Sequence, residues 1–120
     1  MIKLVRLDYR LLHGQVVFSW TGHVGAQRII VVDDDAANDE MKKSALLLSK
    51  PAGVRVNIFT VDKAIAKMPK VEQLDEKIMM IFGNTAALLK FCQAYPKIKE
   101  INYGAVANKP GSVAFDQSVF

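Results

Sequence analysis

The sequence predicts an α/β fold: an open, mainly parallel twisted sheet with helices on both faces, in a single domain over residues 1–120. Three observations carry this. Short apolar, β-rich runs alternate with helix-period stretches along the whole chain. One of those runs, Ile29-Ile30-Val31-Val32, is apolar at every position, so both of its faces need cover. The chain has 120 residues, 51% hydrophobic and 23% charged, which suits one globular domain around one core.

Taken in order, Ile2 to Leu7 reads as a strand, and Gln15 to Thr21 as a helix in which Val16, Val17 and Trp20 recur at near-helical spacing before Gly22 and Gly25. Arg28 to Val32 is the second strand. Asn38 is the expected cap of the next helix, with Asp39 and Glu40 in its first turn and Met41, Ala45, Leu46 and Leu48 at helical intervals, stopped by Pro51 and Gly53. Val54 to Phe59 is the third strand, and Thr60 caps a short helix through Met68. Pro69 and the charged stretch to Glu76 read as a connecting loop. Lys77 to Phe82 forms the fourth strand. Gly83 and Asn84 open a helix carrying Leu88, Leu89, Phe91 and Cys92, Pro96 closes it, and Ile98 to Tyr103 is the fifth strand. Right-handed crossovers are expected between parallel strands, and ligands at the carboxyl ends of the strands where the order reverses. The loops after strands one, two, four and five are therefore the places to search.

Composition excludes several classes. No run of about 18 apolar residues is present to span a bilayer, and the N-terminus lacks the regions of a secretory signal, which points to a cytoplasmic protein. Cys92 is the single cysteine, set among apolar neighbours, so it reads as packing rather than as a disulfide or metal ligand. A net charge of +4 suits acidic partners, but basic and aromatic residues do not interleave on one element, which argues against nucleic acid. Phosphate loops of the dinucleotide or Walker type are absent.

The loop after the first strand, Asp8-Tyr9-Arg10-Leu11-Leu12-His13-Gly14-Gln15, brings a carboxylate, a guanidinium and an imidazole to one strand-to-helix junction. Histidine keeps a substantial neutral fraction near neutral pH, so a ring nitrogen is available as a nucleophile toward phosphorus. Gly14 lets an anionic group approach the backbone, and the free N–H groups of the helix starting at Gln15 would face it. Arg10 offers a planar fork matched to phosphoryl oxygens. Asp8 either orients Arg10 or holds one imidazole nitrogen protonated. Chemistry alone leaves a helix cap beside an ordinary ion pair equally open.

The run Arg6-Leu7-Asp8-Tyr9-Arg10-Leu11-Leu12-His13-Gly14-Gln15-Val16, followed by Trp20, resembles the N-terminal signature of the IIB components of mannose, fructose and sorbose-type bacterial phosphotransferase systems (PTS). Similarity continues through Ile29 to Asp34, Ala37-Asn38-Asp39, Pro51-Ala52-Gly53-Val54 and Asn102-Tyr103-Gly104, so it covers the whole chain. The resemblance implies a sugar-specific phosphotransferase subunit. His13 would accept a phosphoryl group from a phosphohistidine on a IIA protein or domain and pass it to a sugar during uptake. Arg10 would assist, and Arg10, Gly14 and Gln15 would bind phosphate. Arg6, Asp8, Asp34 and Asn84 are expected to orient these groups or to line the cleft. No metal or organic cofactor is implied. The partners would be IIA, the membrane subunits IIC and IID and the sugar, with the protein peripheral at the inner face of the membrane; self-association is left open. Asn102-Tyr103-Gly104-Ala105 departs from the Asn-Ile-Gly-Gly or Asn-Val-Gly-Gly of the family, and its members run a few dozen residues further, so a C-terminal helix and strand are expected to be missing here.

Two other readings compete. Asp33, Asp34 and Asp35 after the second strand, with Lys109-Pro110, invite comparison with receiver domains phosphorylated on aspartate, but Phe59-Thr60 stands where a receiver has its phosphoacceptor aspartate. These aspartates are expected to end a strand and begin a helix. A shortened, non-catalytic partner-binding protein is the other alternative. His23 is expected to cap the first helix, and Gly83-Asn84-Thr85 to form a cap with phosphate contact as its competing role.

Overall fold

The computed structural model describes residues 2–13, 15–98 and 101–103, with backbone alone at residues 13, 15–18, 20 and 103. Its strands are β1 (Ile2–Leu7), β2 (Arg28–Val32), β3 (Arg55–Phe59), β4 (Ile78–Phe82) and β5 (Asn102–Tyr103). Its helices are α1 (Gln15–Val24), α2 (Asp34–Ala37), α3 (Glu40–Leu48), α4 (Val61–Val71) and α5 (Thr85–Ala94). The strands form one five-stranded sheet in the order β3-β2-β4-β1-β5, and every pairing is parallel.

Alternation of side chains divides the core into two layers. Val5, Leu7, Ile30, Val32, Ile78, Met80 and Phe82 face α4 and α5, where Ala64, Met68, Leu88 and Phe91 meet them. Ile29, Val31, Met79 and Ile81 face the opposite way, toward Leu46 of α3 and the leucines that follow β1. All five residues of β4 are fully buried, so each contributes about 1.5–3 kcal/mol of burial and the central strand anchors both layers. This order places the carboxyl end of β4 between those of β1 and β2. β4 leads to a helix on one face while β1 and β2 lead to helices on the other, which is the switch point where open sheets bind ligands.

Several boundaries differ from the sequence reading. α1 runs on through Gly22 to Val24 and stops at Gly25, whose φ of +67° is the left-handed conformation that glycine adopts most readily. Asp39, not Asn38, caps α3, accepting from the N–H groups of Met41 and Lys42; Asn38 ends the short α2. Most informative is α4, which passes through Pro69 to Val71. The apolar stripe Val61, Ala64, Met68, Val71 continues beyond the proline, and burying Val71 offsets the missing amide in the last turn. At the fifth strand, Asn102 and Tyr103 pair with β1 among the described residues, which do not include residues 99 and 100 of the expected strand.

Candidate functional site

The turn after β1 is built around the Asp8 carboxylate, which is fully buried. Asp8 N–H donates to the Phe82 carbonyl at 2.9 Å, hooking the turn onto the end of β4, and its own carbonyl accepts from Leu11 N–H at 3.1 Å. Oδ1 accepts from the Arg10 backbone N–H at 3.0 Å and from Arg10 Nε at 3.1 Å, while Oδ2 accepts from Arg10 Nη2 at 3.0 Å. Arg6 Nη2 adds a fourth bond to Oδ2 at 3.3 Å. Burial by itself pushes the Asp8 carboxyl upward. The side-chain and backbone hydrogen bonds of Arg10 and the charges of Arg10 and Arg6 outweigh it, and Asp8 is held below its ordinary pKa.

The two arginines differ. Arg6 is buried, and its desolvation, opposed by Asp8, lowers its pKa, though it stays a cation. Its Nη1 donates to Asn102 Oδ1, tying β5 to the same network. Its Nε has no partner among the described residues. Arg10 has a side chain 37% exposed. It spends one edge of its guanidinium on Asp8, and the hydrogen bond and charge of Asp8 raise its pKa. Its Nη1 makes no hydrogen bond among the described residues, so a fixed cationic donor is presented at the mouth of the turn, the arrangement that suits phosphoryl oxygens.

Beyond Arg10 the backbone makes a single 3-10 turn, Leu11–His13. Leu11 takes a left-handed φ of 54°, which costs a non-glycine residue about 1–3 kcal/mol. The burial of Leu11 and Leu12 in the α3-side core offsets it. Two buried leucines and a buried carboxylate therefore fix the backbone immediately before His13, and α1 starts two residues later at Gln15. The side chains of His13 and Gln15 and all of Gly14 lie outside the described residues.

The other candidates fall at neighbouring strand ends and hold the scaffold. Asp33 caps α2, its Oδ2 accepting from Ala36 N–H at 3.2 Å. Burial raises the Asp33 pKa, only partly opposed by the Ala36 hydrogen bond, and Asp35 and Asp34 push it further up. Asp34 Oδ1 accepts from Val61 N–H at 2.8 Å, linking the end of β2 to the start of α4. Asn84 caps α5 through Ala87 N–H at 2.8 Å. His23 lies in the last turn of α1, and Cys92 is a half-buried free thiol raised by burial. Among the described residues no group of three or more His, Cys, Asp or Glu side chains could hold a metal ion.

Sequence reasoning missed the depth of Arg6 and the contact between β2 and β4 at Gly83. A Cβ there would lie 2.8 Å from Asp33 Oδ1. The signal for the second was a glycine directly before a capping asparagine. Arg6 carried no comparable signal, because only pairing with β5 shows that its side of β1 is covered.

The family description "PTS system sorbose subfamily IIB component" matches residues 2–119. The sorbose-specific EIIB component of Klebsiella pneumoniae is 35% identical over 118 residues, covering 98% of this chain and 72% of that protein. The mannose-specific EIIAB component of Escherichia coli K12 is 33% identical over 119 residues, 99% of this chain but 37% of that longer protein. The crystal structure of the IIBSor domain of the K. pneumoniae sorbose permease superposes with a TM-score of 0.82 at 36% identity, covering 92% of this chain and 68% of that one. A match over nearly the whole sequence, supported by fold, makes this chain a member of the sorbose subfamily of IIB components, the sugar-specific phosphotransferase proteins of the PTS.

Proposed function

We propose that His13 is the phosphocarrier, that Arg10 is the cation that meets the phosphoryl group, and that Gly14 and Gln15 supply phosphate contacts at the start of α1. The observation that carries this reading is the buried Asp8 with its four hydrogen bonds, which commits Arg6 and Arg10 to one rigid cluster in the turn leading to His13. A surface ion pair needs no such burial. An arginine held on one edge, with its other edge making no hydrogen bond among the described residues, costs no reorganisation when charge arrives.

In the first step a neutral imidazole nitrogen of His13 attacks phosphorus on the phosphohistidine of a IIA protein; an N–P bond forms as the donor N–P bond breaks. In the second, a sugar hydroxyl oxygen attacks, the His13 N–P bond breaks, and the hydroxyl proton is released. Arg10 offsets the charge on the equatorial oxygens in both. The EIIAB relative, with A and B components in one chain, supports a IIA donor. The reading further assigns the acceptor sugar to the membrane subunits IIC and IID and the protein to the cytoplasm, working at the membrane face. No helix among the described residues is long and apolar enough to cross a membrane. The chain is also read as one IIB domain.

Incubation with a phosphorylated IIA protein tests the assignment. Label should be stable in alkali and lost in acid, should vanish in His13→Ala, and should transfer roughly a hundredfold more slowly in Arg10→Ala. Persistent labelling of His13→Ala overturns it.

A further inference from the structure

On the opposite side of the sheet from the His13 turn, between α4 and the β2–β3 edge, lies a cavity of about 370 Å³. Arg28, Lys63, Lys67 and Lys70 line it with Asn57 and Phe59, and no aspartate or glutamate does. The three lysines sit at i, i+4 and i+7 along α4, one stripe of one helix. Like charges so spaced repel one another, and no carboxylate compensates them: among the described residues Lys67 and Lys70 make no ion pair, and Lys63 rests over the Phe59 ring, 5.4 Å from its centroid. On other helices, by contrast, Lys42 pairs with Asp35, Lys43 with Glu40 and Lys90 with Asp62.

The wall facing the lysines is preset. Arg28 Nε donates to Glu76 Oε1 at 2.7 Å, and Arg28 Nη1 donates to Asn57 Oδ1. These bonds immobilise the guanidinium and fix the Asn57 amide so that its Nδ2 donor is left without a partner among the described residues. Ile30 and Leu74 add apolar surface beside the Phe59 ring. Concentrated cations, a fixed amide donor, an aromatic ring and a volume in the range of small-ligand sites describe a pocket for a compact anion with a carbon skeleton.

We propose that this cavity is a second anion site, separate from the phosphotransfer turn, and that it binds a small phosphate monoester of the sugar phosphate type. The phosphate lies among Lys67, Lys70 and Lys63, and the carbon skeleton against Phe59 and Asn57. Concavity favours a small ligand over an extended acidic protein surface. A sugar phosphate is the kind of product that sugar phosphorylation releases, so such a site would let its accumulation be sensed by the protein that helps make it.

Calorimetric titration of the full chain with glucose 6-phosphate, glucose, inorganic phosphate and phosphatidylglycerol vesicles tests this. Saturable binding of glucose 6-phosphate, weaker binding of inorganic phosphate and none of glucose is the expected pattern. Lys67→Gln combined with Lys70→Gln should weaken it by about tenfold or more, since charge-assisted hydrogen bonds are lost. Both lysines are outside the core, so the fold should persist, which circular dichroism checks. Arg10→Ala should leave the affinity unchanged. Absence of saturable binding, binding that follows Arg10 rather than the lysines, or binding to vesicles alone would each overturn the proposal.

Discussion

Two acidic turns flank the end of β4 at the carboxyl end of the sheet, and although burial pushes both carboxyls upward, their pKa values end on opposite sides of the ordinary one. At the end of β1, Asp8 is sealed from solvent yet held ionised, because two arginines and a backbone amide converge on it. At the end of β2, Asp33 is only partly buried, yet its pKa is raised: burial pushes it up, its acidic neighbours Asp35 and Asp34 add to the rise, and the single Ala36 amide opposes them only in part. The difference is one of partners, not of depth. Both turns are secured to β4, Asp8 through the Phe82 carbonyl and Asp33 by close contact with Gly83. The first uses its carboxylate to aim an arginine, the second uses its carboxylates to cap helices.

The sharpest way to break this contrast is to remove Asp8. Asp8→Ala leaves Arg6 buried without a counter-charge and should cost about 3–5 kcal/mol in urea unfolding, with loss of phosphoryl transfer in whatever protein remains folded. Gly83→Ala strikes the second turn by driving a methyl group toward Asp33 Oδ1. A destabilisation of about 1–3 kcal/mol is expected, less in an Asp33→Ala background, and a double-mutant thermal-melt cycle measures the coupling. Asp34→Ala and Asn84→Ala should each cost about 1 kcal/mol, the value of a lost amide cap, read from the shift in urea midpoint.

The smallest effects sharpen the comparison through their sign. Asp8 has a folded pKa below its ordinary 3.8, so its stabilising contribution is present above that value and is lost as pH falls through the lower, folded one. Asp33 has a folded pKa above its ordinary 3.8, so the native state holds the proton more tightly and stability falls as pH rises through the window just above that value. Urea unfolding of wild type, Asp8→Asn and Asp33→Asn between pH 3 and 6 should therefore give difference curves of opposite slope. Slopes of the same sign would remove the distinction between the two turns.

Much of this was legible beforehand. All five strands and the principal helices followed from apolar period and from Gly, Pro and capping residues, and the His13 turn stood out because Asp8, Arg10 and His13 fall within six positions. Boundaries failed where tertiary burial overrode a local rule. Pro69 lies within α4 because Val71 has a core to enter, and Asp39 displaces Asn38 as a cap because α2 had already claimed that asparagine. The roles of Asp34 and Asn84 were equally hidden, since a carboxylate or an amide after a strand looks the same whether it lines a cleft or caps a helix.

The sequence by itself determined the class of fold, through alternating periods and a strand apolar on both faces, and the candidate chemistry, through the residues crowded before α1. Only the tertiary structure decided how those residues divide the work. Whether Asp8 is charged, whether Arg6 is buried and which edge of Arg10 is bound to Asp8 depend on β4 and β5 closing over the turn from residues about 75 and 95 positions away. Local sequence carries no record of such long-range partners, and in a buried ionic cluster it is the partners that set the charge.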